Sequence, residues 1–168
     1  MKNFKQITPE SLNSNPFELI GKDWALLSSG TPENFNTMTI SWGAVGIMWN
    51  KPVAFTFVRP QRYTMEFVIG NDYVSLCFFD EKYRKALAFC GSNSGRDFDK
   101  PKETGLTPAF CDGVPYFEEA KLVLVCKKLY NQFLNAESVV EPTVTDNYAA
   151  GDYHKMFVNE IVEFFVKE

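Results

Sequence analysis

Stretches of strand-like sequence, separated by short turns, constrain the fold of this chain most strongly. Residues 24–29, 53–58 and 73–79 are rich in β-branched, aromatic and other apolar residues, and two longer runs of this kind cover residues 120–134 and 153–166. Helical patterns are few and do not alternate regularly with the strands, which argues against a parallel sheet built from βαβ units. The pattern predicts a mainly β protein, an antiparallel barrel with a few peripheral helices.

One further β-type run, residues 38–47, reads as a single long strand. Its two glycines, Gly43 and Gly46, suggest bulges or close approaches of the backbone. The following Asn50-Lys51-Pro52 is expected to turn the chain into the next strand.

The predicted helices are short. Three are indicated: residues 64–69, with Met65, Phe67, Val68 and Ile69 facing inward; residues 81–89, with Asp80 as N-cap; and residues 97–103, ended by Gly105. Residues 136–151 are expected to form a connecting helix or loop, since Pro142 breaks any single long helix.

Length and charge narrow the class of protein. The 168 residues fit one domain covering 1–168, and the net charge of −4 comes from acids and bases mixed along the chain. This mixture of charges shows no positively charged cluster of the kind that binds nucleic acid. The first five residues hold no apolar leader segment, and no run approaches the length of a membrane span. We therefore expect a soluble, cytoplasmic protein with neither nucleic-acid nor membrane partners.

Cysteine and histidine usage argues against metal and hydrolytic sites. The four cysteines, Cys77, Cys90, Cys111 and Cys126, are scattered without a C-x-x-C spacing, and the chain has one histidine, His154. We expect reduced thiols and no metal site. A Ser-His-Asp or Cys-His pair would require His154, and no nearby Ser or Cys supports one.

The turn Arg59-Pro60-Gln61-Arg62-Tyr63-Thr64 is the clearest candidate for a binding site. It holds two of the four arginines of the chain, three positions apart, followed by two hydroxyl side chains at the start of a predicted helix. Guanidinium forks, hydroxyls and free backbone N–H groups are what a phosphate monoester needs. The alternative is a solvated turn with unrelated surface arginines.

Two more segments carry polar groups in a suggestive order. Residues 36–43 place an amide and several hydroxyls along an extended backbone beside Trp42, suited to the edge of a flat heteroaromatic ring. The alternative is an ordinary barrel strand with Trp42 in the core. Gly, Ser and Asn dominate the first half of residues 90–100, where backbone N–H groups and hydroxyls suit an anion or a ribityl chain, and Arg96 and Lys100 add positive charge. A flexible surface loop is the alternative.

Taken together and in this order, these segments resemble the flavin reductase-like family, the FMN-binding split barrels, and especially its flavoredoxin-type branch. The match covers nearly the whole chain. The motifs that carry it are Asn36-x-Met38-Thr39-Ile40-Ser41-Trp42, Arg59-Pro60-Gln61-Arg62-Tyr63-Thr64, Cys90-Gly91-x-x-Ser94-Gly95-Arg96-Asp97-x-Asp99-Lys100, residues 118–130, and Asp152-Tyr153-His154-Lys155 with Glu160-Ile161-Val162.

The resemblance implies an FMN-binding split β-barrel, an antiparallel Greek-key barrel, that forms a homodimer with non-covalent FMN at or near the subunit interface. It also implies the cofactor-binding residues. These are Asn36, Thr37, Met38, Thr39, Ser41 and Trp42 around the ring and ribityl portions; Arg59, Gln61, Arg62, Tyr63 and Thr64 around the phosphate; and Cys90, Ser94, Gly95 and Lys100 from the third loop. For Cys90 we expect packing beside the flavin rather than a redox role, because no partner cysteine is near in sequence.

The implied chemistry is hydride transfer, which the flavin supplies. In reductases of the wider family a histidine near the start of the last strand lies by the nicotinamide site, and His154 is the matching position; a surface histidine is the alternative. The chain lacks a Gly-x-Gly-x-x-Gly fingerprint, so nothing separately predicts NADH or NADPH binding. Three interpretations therefore stay open: an NAD(P)H-dependent flavin reductase, a flavoredoxin-type carrier passing electrons between protein partners, and a non-redox flavin-binding module.

Overall fold

Ten strands and four α-helices make up the chain in a computed structural model, which describes residues 1–168. The strands are β1 (Phe4–Ile7), β2 (Ala25–Gly30), β3 (Phe35–Ile40), β4 (Gly43–Met48), β5 (Lys51–Val58), β6 (Tyr73–Phe78), β7 (Pro108–Cys111), β8 (Val114–Phe117), β9 (Leu122–Phe133) and β10 (Lys155–Lys167). The helices are α1 (Pro16–Gly21), α2 (Thr64–Gly70), α3 (Arg84–Ser92) and α4 (Lys100–Thr104), and 3-10 turns cover Pro9–Ser11, Glu81–Tyr83, Ala136–Ser138 and Pro142–Tyr148. None of these helices has the length and apolar character needed to cross a membrane.

Eight strands form one antiparallel sheet in the order β3-β2-β6-β9-β10-β5-β4, with β1 also paired to β10. The two edge strands, β3 and β4, are separated along the chain by Ser41 and Trp42 alone. The sheet must therefore curl until these two edge strands meet at one end, without pairing along their length, which gives a barrel split along this seam. The predicted antiparallel split barrel is confirmed, as are the two long strands β9 and β10.

The sheet is buried on both faces. Along β6, Leu76 and Phe78 face a cluster of 19 buried apolar residues inside the barrel. The intervening Cys77 and the following Phe79 belong to a second cluster of 13 residues, packed with α3 and the β7–β8 hairpin. Alternate side chains of a strand point to opposite faces, so burial of both faces requires a nearly continuous apolar strand.

The prediction of one strand over residues 38–47 is wrong. The chain leaves β3 at Ile40 and enters β4 at Gly43, because the two halves pair with different neighbours, β2 and β5. A close approach at Gly43 is confirmed, since an added Cβ would lie 2.8 Å from the carbonyl oxygen of Phe55. Gly46 has open space around it and no such constraint.

The turn before β5 lies earlier than predicted. Trp49 and Asn50, with φ angles of 53° and 58°, form a two-residue hairpin turn. Lys51 and Pro52 therefore belong to the strand and not to the turn. The inward orientation expected for Ile69 is also wrong, because 55% of this residue is exposed at the end of α2.

Helix boundaries differ from prediction in two places. Asp80 makes no side-chain capping bond, and a 3-10 turn precedes α3. The next helix begins at Lys100 rather than residue 97, capped by Asp99, and ends at Gly105 as predicted, with φ 70°. Helix α1, strand β1 and the β7–β8 hairpin were not predicted.

Candidate functional site

The candidate site lies at the seam of the barrel, where two adjoining cavities share Met38, Arg59 and Arg62. We call the larger one, of about 310 Å³, the polar cavity. Its lining residues are Asn36, Met38, Arg59, Gln61, Arg62, Tyr63, Thr64, Ser92, Asn93, Ser94, Gly95 and Lys100. The other, of about 230 Å³, we call the aromatic cavity; it is lined by Met38, Thr39, Ile40, Ser41, Trp42, Phe57, Arg59, Arg62 and His154.

The polar cavity is rich in groups that can donate hydrogen bonds. The turn between β5 and α2 leaves the backbone N–H groups of Tyr63 and Thr64 without an acceptor in the chain, because they precede the first helical hydrogen bonds. Ser94 Oγ accepts the backbone N–H of Arg96 at 3.1 Å, and its hydroxyl proton is left for another acceptor. These donors can meet an anionic ligand.

Asn36, in β3, contacts both the arginine turn and the loop after α3. Its Nδ2 donates to Thr64 Oγ1 at 3.0 Å, which leaves the Thr64 hydroxyl proton available to a ligand. The loop after α3 packs tightly against the same side chain, since a Cβ added to Gly95 would lie 2.1 Å from Asn36 Oδ1. A larger residue at position 95 would therefore displace the Asn36 side chain and disturb its hydrogen bond to Thr64.

Two cations in the polar cavity have no carboxylate partner. Arg62 Nη1 donates to the carbonyl of Gly91 at 2.7 Å. Lys100, only 4% exposed, donates from Nζ to the carbonyls of Thr37 and Cys90, each at 2.8 Å. Neither cation takes part in an ion pair. Burial lowers the pKa of Lys100, and the nearby positive charge of Arg62 lowers it further. An anion placed here would be stabilised by charge that the protein itself does not neutralise.

Arg59 has different surroundings. Its Nη1 forms an ion pair with the carboxylate of Asp152, and its Nη2 donates to the carbonyl of Asn147 at 2.9 Å. Gln61 Nε2 donates to the same Asp152 oxygen at 2.6 Å. Hydrogen bonds from Arg59 and Gln61 hold the pKa of Asp152 below its ordinary value. Arg59 thus binds the segment before β10, and its charge is already balanced.

His154 forms the inner wall of the aromatic cavity. It is 9% exposed, its Nδ1 lies 3.0 Å from the hydroxyl of Tyr148, and its ring centre lies 5.2 Å from that of Trp42. Burial, with the positive charges of Arg59 and Arg62 adding to it, lowers the pKa of His154 to about 4. The imidazole is therefore neutral at neutral pH.

Most of the residues singled out from the sequence line these two cavities; Thr37 and Cys90 do not. The Thr37 hydroxyl donates to the Leu27 carbonyl at 3.3 Å, inside the sheet, and only the Thr37 carbonyl approaches the site, through Lys100. Cys90 lies within α3 rather than in a loop and is fully buried in the second core cluster. Burial raises the pKa of its thiol to about 11. Trp42 is 47% exposed, so the alternative that placed it in the core is wrong.

Several lining residues were missed. Ser92 and Asn93 lie inside the third motif, at its two variable positions, and Phe57 lies just before the arginine turn. Asp152 was noted only as part of a closing motif, and Tyr148 not at all. Arg59 and Asp152 are 93 residues apart, so no local pattern could have paired them.

One other group of titratable side chains, Cys111, Asp112 and Glu163, brings its potential ligand atoms within 4.8 Å of one another. The thiol of Cys111 donates to Glu163 Oε2 at 3.4 Å, and burial raises the pKa of Cys111 to about 11. A protonated thiol is a poor metal ligand.

Known proteins resemble this chain in sequence family and in fold. The model of the "Flavin reductase like domain" family matches residues 19–168. No curated protein matches the chain significantly.

Similar solved structures share the fold. A flavoredoxin from Methanosarcina acetivorans is 21% identical, with a TM-score of 0.69 over 87% of this chain and 69% of its own. An FMN-binding protein from Thermus thermophilus, with bound p-hydroxybenzaldehyde, is 20% identical, with a TM-score of 0.70 over 96% and 78%. The styrene monooxygenase flavin reductase from Pseudomonas putida S12 is 15% identical, with a TM-score of 0.62 over 86% and 80%.

Proposed function

The chain belongs to the flavin reductase-like family, and we propose that it is an FMN-binding flavoprotein that takes a hydride from NADH or NADPH. The observation that carries this proposal is the polar cavity. Its two unpaired cations, Arg62 and Lys100, accompany free hydroxyl and backbone donors beside a cavity walled by Trp42 and His154. An aromatic ligand with a phosphate tail matches this pair of adjoining cavities, one aromatic and one polar.

The residues present fit FMN. Arg62, Thr64, Ser94 and Lys100, with the backbone N–H groups of residues 63 and 64, would bind the phosphate. Asn36, Thr39 and Ser41 would border the ribityl chain and ring, and Trp42 and Phe57 would exclude water from the ring. When bound, FMN would supply the chemistry of hydride and electron transfer, which no side chain in the site provides.

FMN is favoured over FAD because the site has one compact group of anion-binding residues. A terminal monophosphate needs no second nucleotide-binding pattern. Extracting the chromophore from the purified protein tests this choice: the proposal requires FMN, and recovery of FAD, or protein without flavin affinity, would reject it.

A flavoredoxin-type electron carrier is the second candidate. It is supported by Trp42, which is 47% exposed at the wall of the aromatic cavity and so leaves an electron path to a protein partner open. The similarity to a flavoredoxin from Methanosarcina acetivorans points the same way.

Anaerobic mixing of the FMN-loaded protein with NADH or NADPH separates the two candidates. A reductase loses the absorbance of oxidised flavin, at roughly 450 nm, within seconds of mixing. Retention of this absorbance with both nucleotides, followed by its loss when dithionite is added, favours a carrier.

We also propose a homodimer with FMN near the subunit interface. Exposed apolar side chains support it: Ile47 is 74% exposed, and Trp49, 54% exposed, contacts Tyr130 edge-to-face at 6.3 Å between ring centres. Such a surface is typical of an interface, and two-fold pairs are the commonest assembly. Sedimentation at decreasing concentration tests the proposal, since dissociation should release FMN, whereas a monomer that holds FMN tightly would contradict it.

A further inference from the structure

The imidazole of His154, the single histidine of the chain, has one hydrogen-bond partner, and packing holds that partner in place. Tyr148 Oη lies 3.0 Å from His154 Nδ1. The Tyr148 ring stacks on Tyr153, with ring centres 4.3 Å apart and planes 18° apart, and the Arg59 guanidinium carbon lies 5.2 Å from its centre. Tyr148 is 8% exposed, and its hydroxyl makes no other hydrogen bond within the chain. The position of this hydroxyl is thus set by packing.

This geometry selects one tautomer of His154. If Nδ1 carried the proton, the Tyr148 hydroxyl would accept it and its own proton would have no acceptor in a largely buried position. If Nε2 carries the proton, the hydroxyl donates to Nδ1 and both groups are satisfied. Nε2 is then a donor for the aromatic cavity.

Burial and the surrounding charges keep the imidazole neutral. Burial lowers the pKa of His154 most, and the positive charges of Arg59, directly after β5, and of Arg62, in the following turn, also oppose protonation. Asp152, from the segment before β10, favours protonation, but its carboxylate is already bound by Arg59 and Gln61. A hydroxyl that donates to Nδ1 also stabilises the neutral form, because a protonated Nδ1 cannot accept it.

We propose that Tyr148 is a positioning residue that fixes His154 as a neutral imidazole with its proton on Nε2, where the N–H can donate to an acceptor atom of a ligand in the aromatic cavity. An acceptor suits this cavity because its lining offers two guanidinium groups and the imidazole N–H but no carboxylate.

Nitrogen-15 NMR of the imidazole tests the tautomer directly, because one histidine gives one set of signals. At pH 7 we expect Nε2 at a protonated shift and Nδ1 at an unprotonated shift. Tyr148→Phe keeps the stacked ring and removes the hydroxyl. It should mix the two tautomers and raise the protonation midpoint of His154 by about half a pH unit or more. Tyr153→Phe, which alters the stacked neighbour without a bond to His154, should change neither.

Three results would overturn the positioning role: a proton on Nδ1 in the wild-type protein, an imidazolium at pH 7, or equal effects of the two tyrosine variants. If Tyr148→Phe does not fold, the wild-type tautomer and midpoint still decide.

Discussion

Arg59 and Arg62 lie three positions apart in one turn, yet the two sides of the site around them differ in charge. On the Arg62 side, the guanidinium and the buried Lys100 ammonium bond only to carbonyl groups of the chain. On the Arg59 side, the guanidinium is paired with Asp152 and covers Tyr148. The first side has charge available for an anion, and the second uses its charge to hold the segment before β10.

The difference shows that residue type alone does not assign a role. An arginine with a carboxylate partner gains little from a second anion, because the attraction is offset by the partner's repulsion. An arginine bonded only to carbonyls retains its full charge for a ligand. We therefore propose that Arg62 and Lys100 bind the phosphate, and that Arg59 positions Tyr148 and His154.

The largest effect is expected from Arg62→Ala. Charge-assisted hydrogen bonds contribute about 1.5–3 kcal/mol each, so FMN affinity should fall by about tenfold or more. Arg62→Lys keeps the charge without the planar fork and should give an intermediate loss. Titration with quenching of flavin fluorescence measures both, and an Arg62→Ala protein with wild-type affinity would remove the distinction between the two sides.

Much of the Arg62 side could be predicted from the sequence, because its groups are close together along the chain. Arg62, Tyr63 and Thr64 are consecutive, and Ser94 and Gly95 belong to one short motif. The strands could also be predicted, since burial on both faces of the sheet makes their sequences nearly continuous in apolar residues.

The rest depends on contacts between distant segments. The pairing of Arg59 with Asp152 spans 93 residues and leaves no local pattern. The break between β3 and β4 at Ser41 and Trp42 leaves no signal in the sequence, because the residues on both sides have β-type sequence. The Gly- and Ser-rich neighbours of Cys90 indicate a loop, although packing of Leu87 and Cys90 into the second core cluster keeps this segment helical.

A smaller effect is expected from Arg59→Ala. Its loss should weaken FMN binding by about two- to fivefold, chiefly because Asp152 is left unpaired beside the polar cavity. Adding Asp152→Asn to the same protein removes that negative charge and should restore most of the affinity. A loss as large as that of Arg62→Ala, with no recovery in the double variant, would show that Arg59 binds the phosphate directly.

The most direct test compares FMN with riboflavin, which lacks the phosphate, in the wild-type, Arg59→Ala and Arg62→Ala proteins. Wild-type protein should bind FMN about tenfold or more tightly than riboflavin. This preference should survive in Arg59→Ala and nearly vanish in Arg62→Ala, while riboflavin affinity itself stays the same in Arg62→Ala. Equal affinities for the two flavins in the wild-type protein, or an undiminished preference for FMN in Arg62→Ala, would contradict the assignment of the polar cavity to a flavin phosphate.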